Sequence, residues 1–160
     1  MKLMSLSLLI LLPMTLAAQA SPVGSNRRTI KLPPSAYCQK PSLRTPLCDA
    51  PFSAGVQVGN TLYTAGIGGE DPQTGKVPPA FEQEAQFALE ALQQTLVAAG
   101  MTMDDLVSVQ VFCTDLSLWD RFNVVYRKYF KKDPPARAFL GVSAIVGGNR
   151  LEIMGIAQTQ

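Results

Sequence analysis

Apolar residues along the chain recur at two periods, and the switches between them mark out its elements. Ala54 to Val58 and Thr61 to Gly66 are short runs on either side of Gly59-Asn60, residue types that tolerate positive φ, and they predict a β-hairpin. From Ala80 to Ala99 the period lengthens. Phe81, Ala85, Ala88, Leu89, Leu92 and Leu96 fall on one helical face, and Gly100 ends the segment. Leu106 to Thr114 alternates through Val107, Val109 and Val111 and predicts a strand; Leu118 to Phe130 returns to helical spacing through Phe122, Val125, Tyr126 and Tyr129. Pro134-Pro135 forbids further helix. Arg137 to Val146 and Arg150 to Ala157, joined across Gly147-Gly148-Asn149, predict a final hairpin. The order is ββ-α-β-α-ββ. A mixed sheet with both helices on one face buries the two helical stripes and leaves a second apolar sheet face, which calls for an oligomer.

The segment before this pattern has a different character. One Lys, a mainly apolar stretch from Leu6 to Leu12, Pro13 and then Ala18-Gln19-Ala20 have the layout of a secretory signal peptide cleaved after Ala20. The stretch is too short for a stable membrane anchor. The expected division is therefore a signal peptide at 1–20, a Pro-rich extension at 21–50 and one domain at 51–160, in an exported protein that is periplasmic or secreted. No membrane association is expected after cleavage. In an oxidising compartment Cys38 and Cys48, ten positions apart, are placed to form a disulfide, whereas Cys113 lies in an apolar strand and reads as core.

Composition removes several kinds of chemistry. The chain has no histidine, which excludes Ser-His-Asp and Cys-His nucleophile systems and the commonest zinc ligand. Its formal charge of +2 gives no concentrated basic face for nucleic acid, and Lys128, Lys131 and Lys132 suit the end of a helix. Gly68-Gly69 through Gly75-Lys76 resembles a phosphate loop only superficially, because Glu70 stands where a glycine is required and Val77 follows the lysine. Trp119 and the aromatic residues of the second helix recur at core spacing, which favours packing over base stacking. Arg137 and Glu152 are the charged residues that stand out in the final hairpin. Pattern alone favours a cross-strand ion pair over a site, although Glu152, between Leu151 and Ile153, needs a local partner.

Several segments nevertheless resemble the RidA (YjgF) family in order and spacing. They are Pro51-Phe52-Ser53 with the hairpin that follows, Thr64-Ala65-Gly66, Val111 to Leu116, Asn123 to Tyr126 leading to Tyr129-Phe130, Pro134-Pro135-Ala136-Arg137, and Leu151 to Ala157. The resemblance covers about residues 50 to 158. It implies a chorismate-mutase-like α/β fold and a homotrimer whose sheets face a central barrel, with three pockets between adjacent subunits. It implies hydrolysis of 2-imino acids and their enamine tautomers to 2-keto acids and ammonia, with no metal and no organic cofactor. Arg137 would hold the substrate carboxylate and Glu152 would orient the attacking water, with Phe52, Ala65, Gly66, Asn123 and Phe139 around the substrate. A guanidinium fork matches a carboxylate bidentately and stays charged. The chain departs from the family at Phe52, where many members have Tyr, at Ala65, where many have Ser, and at Phe139, where a smaller residue is usual. Two lost hydroxyls and an added ring imply a drier, differently shaped pocket. Two other functions fit the same fold: a non-catalytic small-molecule-binding or chaperone-like trimer, and a ribonuclease, against which the near-neutral charge and the export signal count.

Overall fold

The computed structural model describes residues 26–34, 49–130 and 133–159. The signal segment and the Cys38–Cys48 pair lie outside the described residues. Among the described residues six strands form one sheet: β1 (Arg27–Ile30), β2 (Gly55–Val58), β3 (Thr61–Thr64), β4 (Leu106–Cys113), β5 (Ala136–Gly141) and β6 (Leu151–Gln158). Their spatial order is β1-β2-β3-β6-β4-β5, and β4 and β5 are the parallel neighbours. Helices α1 (Phe81–Ala98) and α2 (Trp119–Tyr126) cover one face.

Each helix forms for a local reason. Glu82 and Glu84 in the first turn of α1 complement its positive end. At the other end Gly100 takes φ +79° and the Met101 N–H donates to the Leu96 carbonyl at 2.9 Å, which satisfies a terminal acceptor. Before α2, the Asp115 carboxylate accepts from the Ser117 N–H at 2.8 Å and starts a single 3-10 turn, Leu116–Leu118. Phe81, Leu89, Leu92, Leu96 and Phe122 then pack on Leu62, Val109, Val111, Leu151 and Ile153, all almost fully buried. The opposite sheet face carries Tyr63, Leu140 and Ile156, at 50%, 43% and 36% exposure, together with partly buried Phe112 and Met154. That is the apolar second face expected from the pattern.

Three expectations need correction. Residues 27–30, read as part of an extension outside the fold, form edge strand β1 on β2, with Ile30 buried. A four-residue strand with one inward side chain has too little alternation to be recognised. The second helix is shorter than Leu118 to Phe130: it ends at Tyr126, and residues 127–129 form a turn. The final hairpin does not exist. β5 ends at Gly141 and pairs in parallel with β4 after the α2 crossover, while β6 inserts between β3 and β4. Gly147 and Gly148, both at positive φ, belong to a wide loop that carries the chain past β4. Two apolar runs joined by glycines look the same whether or not another strand lies between them.

Candidate active site

The interposed β4 decides where the two candidate charges go. Arg137 lies beside Val109 and Glu152 beside Phe112, so they are not cross-strand neighbours and the ion-pair reading fails. Successive side chains on a strand point to opposite faces. Arg137 and Phe139 face α2, whereas Glu152 shares the open face with Phe112 and Met154.

Arg137 is seated by one face of α2. Trp119, Phe122, Asn123 and Tyr126 follow the i, i+3, i+4, i+7 spacing that brings side chains to the same side of a helix. The Arg137 Nη2 donates to Asn123 Oδ1 at 2.6 Å. Its guanidinium carbon lies 4.3 Å from the Tyr126 ring centroid, 4.7 Å from Trp119 and 5.4 Å from Phe122. Contacts of this kind contribute about 0.5–2 kcal/mol each, more as water is removed. Phe139 meets Trp119 edge-on, with centroids 5.1 Å apart, and so closes the side of the seat. Burial lowers the Arg137 pKa from its ordinary value and raises that of Tyr126 to about 12. A half-buried guanidinium that has, among the described residues, a neutral amide for its hydrogen-bond partner is prepared for an anion.

Glu152 sits in a separate depression of about 430 Å³ with Phe52, Ala65, Gly66, Glu70 and Asn149 in its wall. Ile67 and Ile153 exchange backbone hydrogen bonds of 2.9 Å, which lays the strand-like Gly66–Gly68 segment along β6. The carboxylate lies directly on Gly66: a Cβ there would stand 2.5 Å from Glu152 Cδ. Burial raises the Glu152 pKa, and the negative charge of Glu70 raises it further.

The start of β6, next to this depression, is held by an ion pair that the sequence reading missed. Glu84 is fully buried in α1 and accepts from Arg150 Nε at 2.6 Å and from the Arg150 N–H at 2.6 Å. Arg150 also donates to the carbonyls of Pro78 and Pro79 at 2.6 and 3.0 Å. The start of β6 is thereby tied to the start of α1. Buried Asn149 joins the remaining loops, accepting from the Gly69 N–H at 3.0 Å and donating to Glu70 Oε1 at 2.6 Å. A signal for Glu84 was available, because Phe81, Glu84 and Ala88 lie on one helical stripe. Among the described residues no group of acidic residues and cysteines could hold a metal ion, and no helix is long and apolar enough to cross a membrane.

The structure thus brings Phe52, Ala65 and Gly66 to Glu152, and Asn123 and Phe139 to Arg137, but does not join the two groups within one protomer. Residues 43–159 match the family described as Endoribonuclease L-PSP. The chain belongs to this family, the RidA (YjgF) family. It is 37% identical over 115 residues to a 2-iminobutanoate/2-iminopropanoate deaminase of Mus musculus, covering 71% of this chain and 85% of that protein. Among RidA-family structures, it superposes on RidA from the Antarctic bacterium Psychrobacter sp. with a TM-score of 0.71 at 30% identity, covering 82% of this chain and all of the other. The structure of Escherichia coli TdcF with bound serine matches with a TM-score of 0.67 at 32% identity, over 69% of this chain and 90% of that one.

Proposed function

We propose that this protein hydrolyses 2-imino acids to 2-keto acids and ammonia in pockets shared by adjacent subunits of a homotrimer. The observation that carries this reading is the pair of half-sites. Arg137 is a half-buried cation with no carboxylate partner among the described residues, and Glu152 is a carboxyl of raised pKa in a cavity on the opposite sheet face. Each supplies what the other lacks. A cyclic assembly brings different surfaces of neighbouring copies together, and the apolar face with Tyr63, Leu140 and Ile156 is available for it. The deaminase name of a 37% identical relative and the bound serine of TdcF support small amino-acid-like substrates.

The chemistry follows from the two groups. Arg137 of one subunit grips the substrate carboxylate and fixes the imine carbon against Glu152 of the next. Glu152 takes a proton from water as the oxygen adds to that carbon, forming a C–O bond, and returns a proton to the nitrogen. The resulting carbinolamine gives its hydroxyl proton to Glu152, which passes it to the nitrogen as the C–N bond breaks and the C=O bond forms, releasing ammonia and leaving the 2-keto acid. A carboxyl whose pKa lies above the usual range suits a group that accepts and donates a proton in one cycle. The same carboxylate-bearing cavity is a poor seat for an RNA phosphate. The signal-like sequence of residues 1–20 supports an exported activity, periplasmic or secreted, as part of this proposal. The test is ammonia release from 2-imino acids generated freshly by an amino-acid oxidase. The purified protein is expected to accelerate it, and a folded protein that leaves the spontaneous rate unchanged would refute the reading.

A further inference from the structure

The Gly68-Gly69-Glu70 segment brings a second carboxylate into the Glu152 cavity. Close approach requires the first glycine, since a Cβ at Gly68 would stand 2.7 Å from Asn149 Nδ2 and 2.8 Å from Glu70 Oε2. The Asn149 amide fixes Glu70 through one oxygen at 2.6 Å. Glu70 also borders a second cavity of about 390 Å³, which shares Phe52, Ala65 and Gly66 with the first and runs between α1 and Leu32–Pro34. Pro33, Phe87 and Ala91 make its wall largely apolar, and Glu90 stands in it as well. Among the described residues, neither cavity is lined by a lysine or an arginine.

The charges leave one side uncompensated. In the imine-hydrolysis reading, on which this inference rests, Arg137 of the neighbouring subunit is taken by the substrate carboxylate. Glu70 then faces the substrate beside Glu152 with, among the described residues, a neutral amide for its partner. A carboxylate drawn out of water favours a cation, and apolar walls favour methylene groups leading to it. We infer that Glu70 selects 2-imino acids with a cationic side chain, those formed from basic amino acids, the stem lying along Phe52 and the charged head at Glu70.

Glu70→Gln separates this role from a purely structural one, because the glutamine oxygen still accepts from Asn149 while the charge is lost. The measurement is kcat/KM for the freshly generated imines of arginine and norleucine, which have unbranched side chains but differ in charge. Wild type is expected to prefer the arginine imine, and in Glu70→Gln the arginine-to-norleucine ratio should fall about tenfold or more. An unchanged ratio overturns the inference. So does a wild-type protein that hydrolyses both imines without preferring arginine, a result that needs no variant and leaves imine hydrolysis itself intact. Acceleration of neither imine would refute both readings together.

Discussion

The contact between Gly66 and Glu152 allows the position of the proposed acid/base to be perturbed without altering its chemistry. In Gly66→Ala the new Cβ would stand 2.5 Å from the Glu152 carboxyl carbon, where an ordinary contact is at least 3.4 Å. The carboxylate must retreat by about 1 Å, which for a flexible side chain pushed off its rotamer costs about 1 kcal/mol. The backbone at Gly66 is not in the left-handed region, so alanine adds no strain of its own. Stability should therefore change little. Catalysis should change more, because a displacement of about 1 Å from the reacting geometry costs on the order of 10²-fold in rate. The assay is ammonia release at varied substrate concentration, with thermal melting as the folding control. The expected result is a large loss in kcat with a small change in KM, since the carboxylate grip belongs to Arg137 of the neighbouring subunit. A kcat within about threefold of wild type would refute the assignment of Glu152 as the group that handles the water proton.

Glu84→Ala leaves Arg150 without its carboxylate and should cost about 3–5 kcal/mol in chemical denaturation, the usual result of removing one member of a buried pair; a loss below about 1 kcal/mol would show that the pair does not hold β6 to α1. Burial raises the Glu152 pKa in the folded state, so the stabilisation from its protonated form is complete at acid pH and is lost as pH rises through the folded value. Glu152→Gln should therefore melt above wild type near neutrality, with the difference closing below the ordinary carboxylate range, and equal melting at both pH values would contradict this.

The sequence revealed the fold where periodicity was long and local. Helix α1 and the β2–β3 hairpin could be read from Phe81 to Leu96 and from Gly59-Asn60, because their hydrogen bonds join near neighbours. The pairing of β5 with β4 could not be read, since Arg137 and Val109 meet through a crossover that leaves no mark on either strand. Strand β1 was hidden by its shortness, and its one buried side chain, Ile30, resembles any isolated apolar residue in a loop. At the candidate site the resemblance indicated the residue types, but not their division into two groups. That division depends on parity: Arg137 and Phe139 point to one sheet face and Glu152 to the other. Glu84 and Asn149 are buried polar residues whose partners, Arg150 and Glu70, lie 66 and 79 positions away. Pairing over such separations is set by topology alone.

The central claim, a site made by two copies of the chain, is tested most directly by mixing two inactive variants. Arg137→Ala lacks the carboxylate anchor and Glu152→Gln lacks the proton acceptor, so a trimer of either should release ammonia at no more than a small fraction of the wild-type rate. Co-refolding them in equal amounts gives mixed trimers, whose composition native mass spectrometry can establish. If each pocket takes Arg137 from one subunit and Glu152 from the next, about one quarter of the pockets receive both intact residues, and activity should return to about that fraction of wild type. Mixed trimers as inactive as their parents would contradict the account.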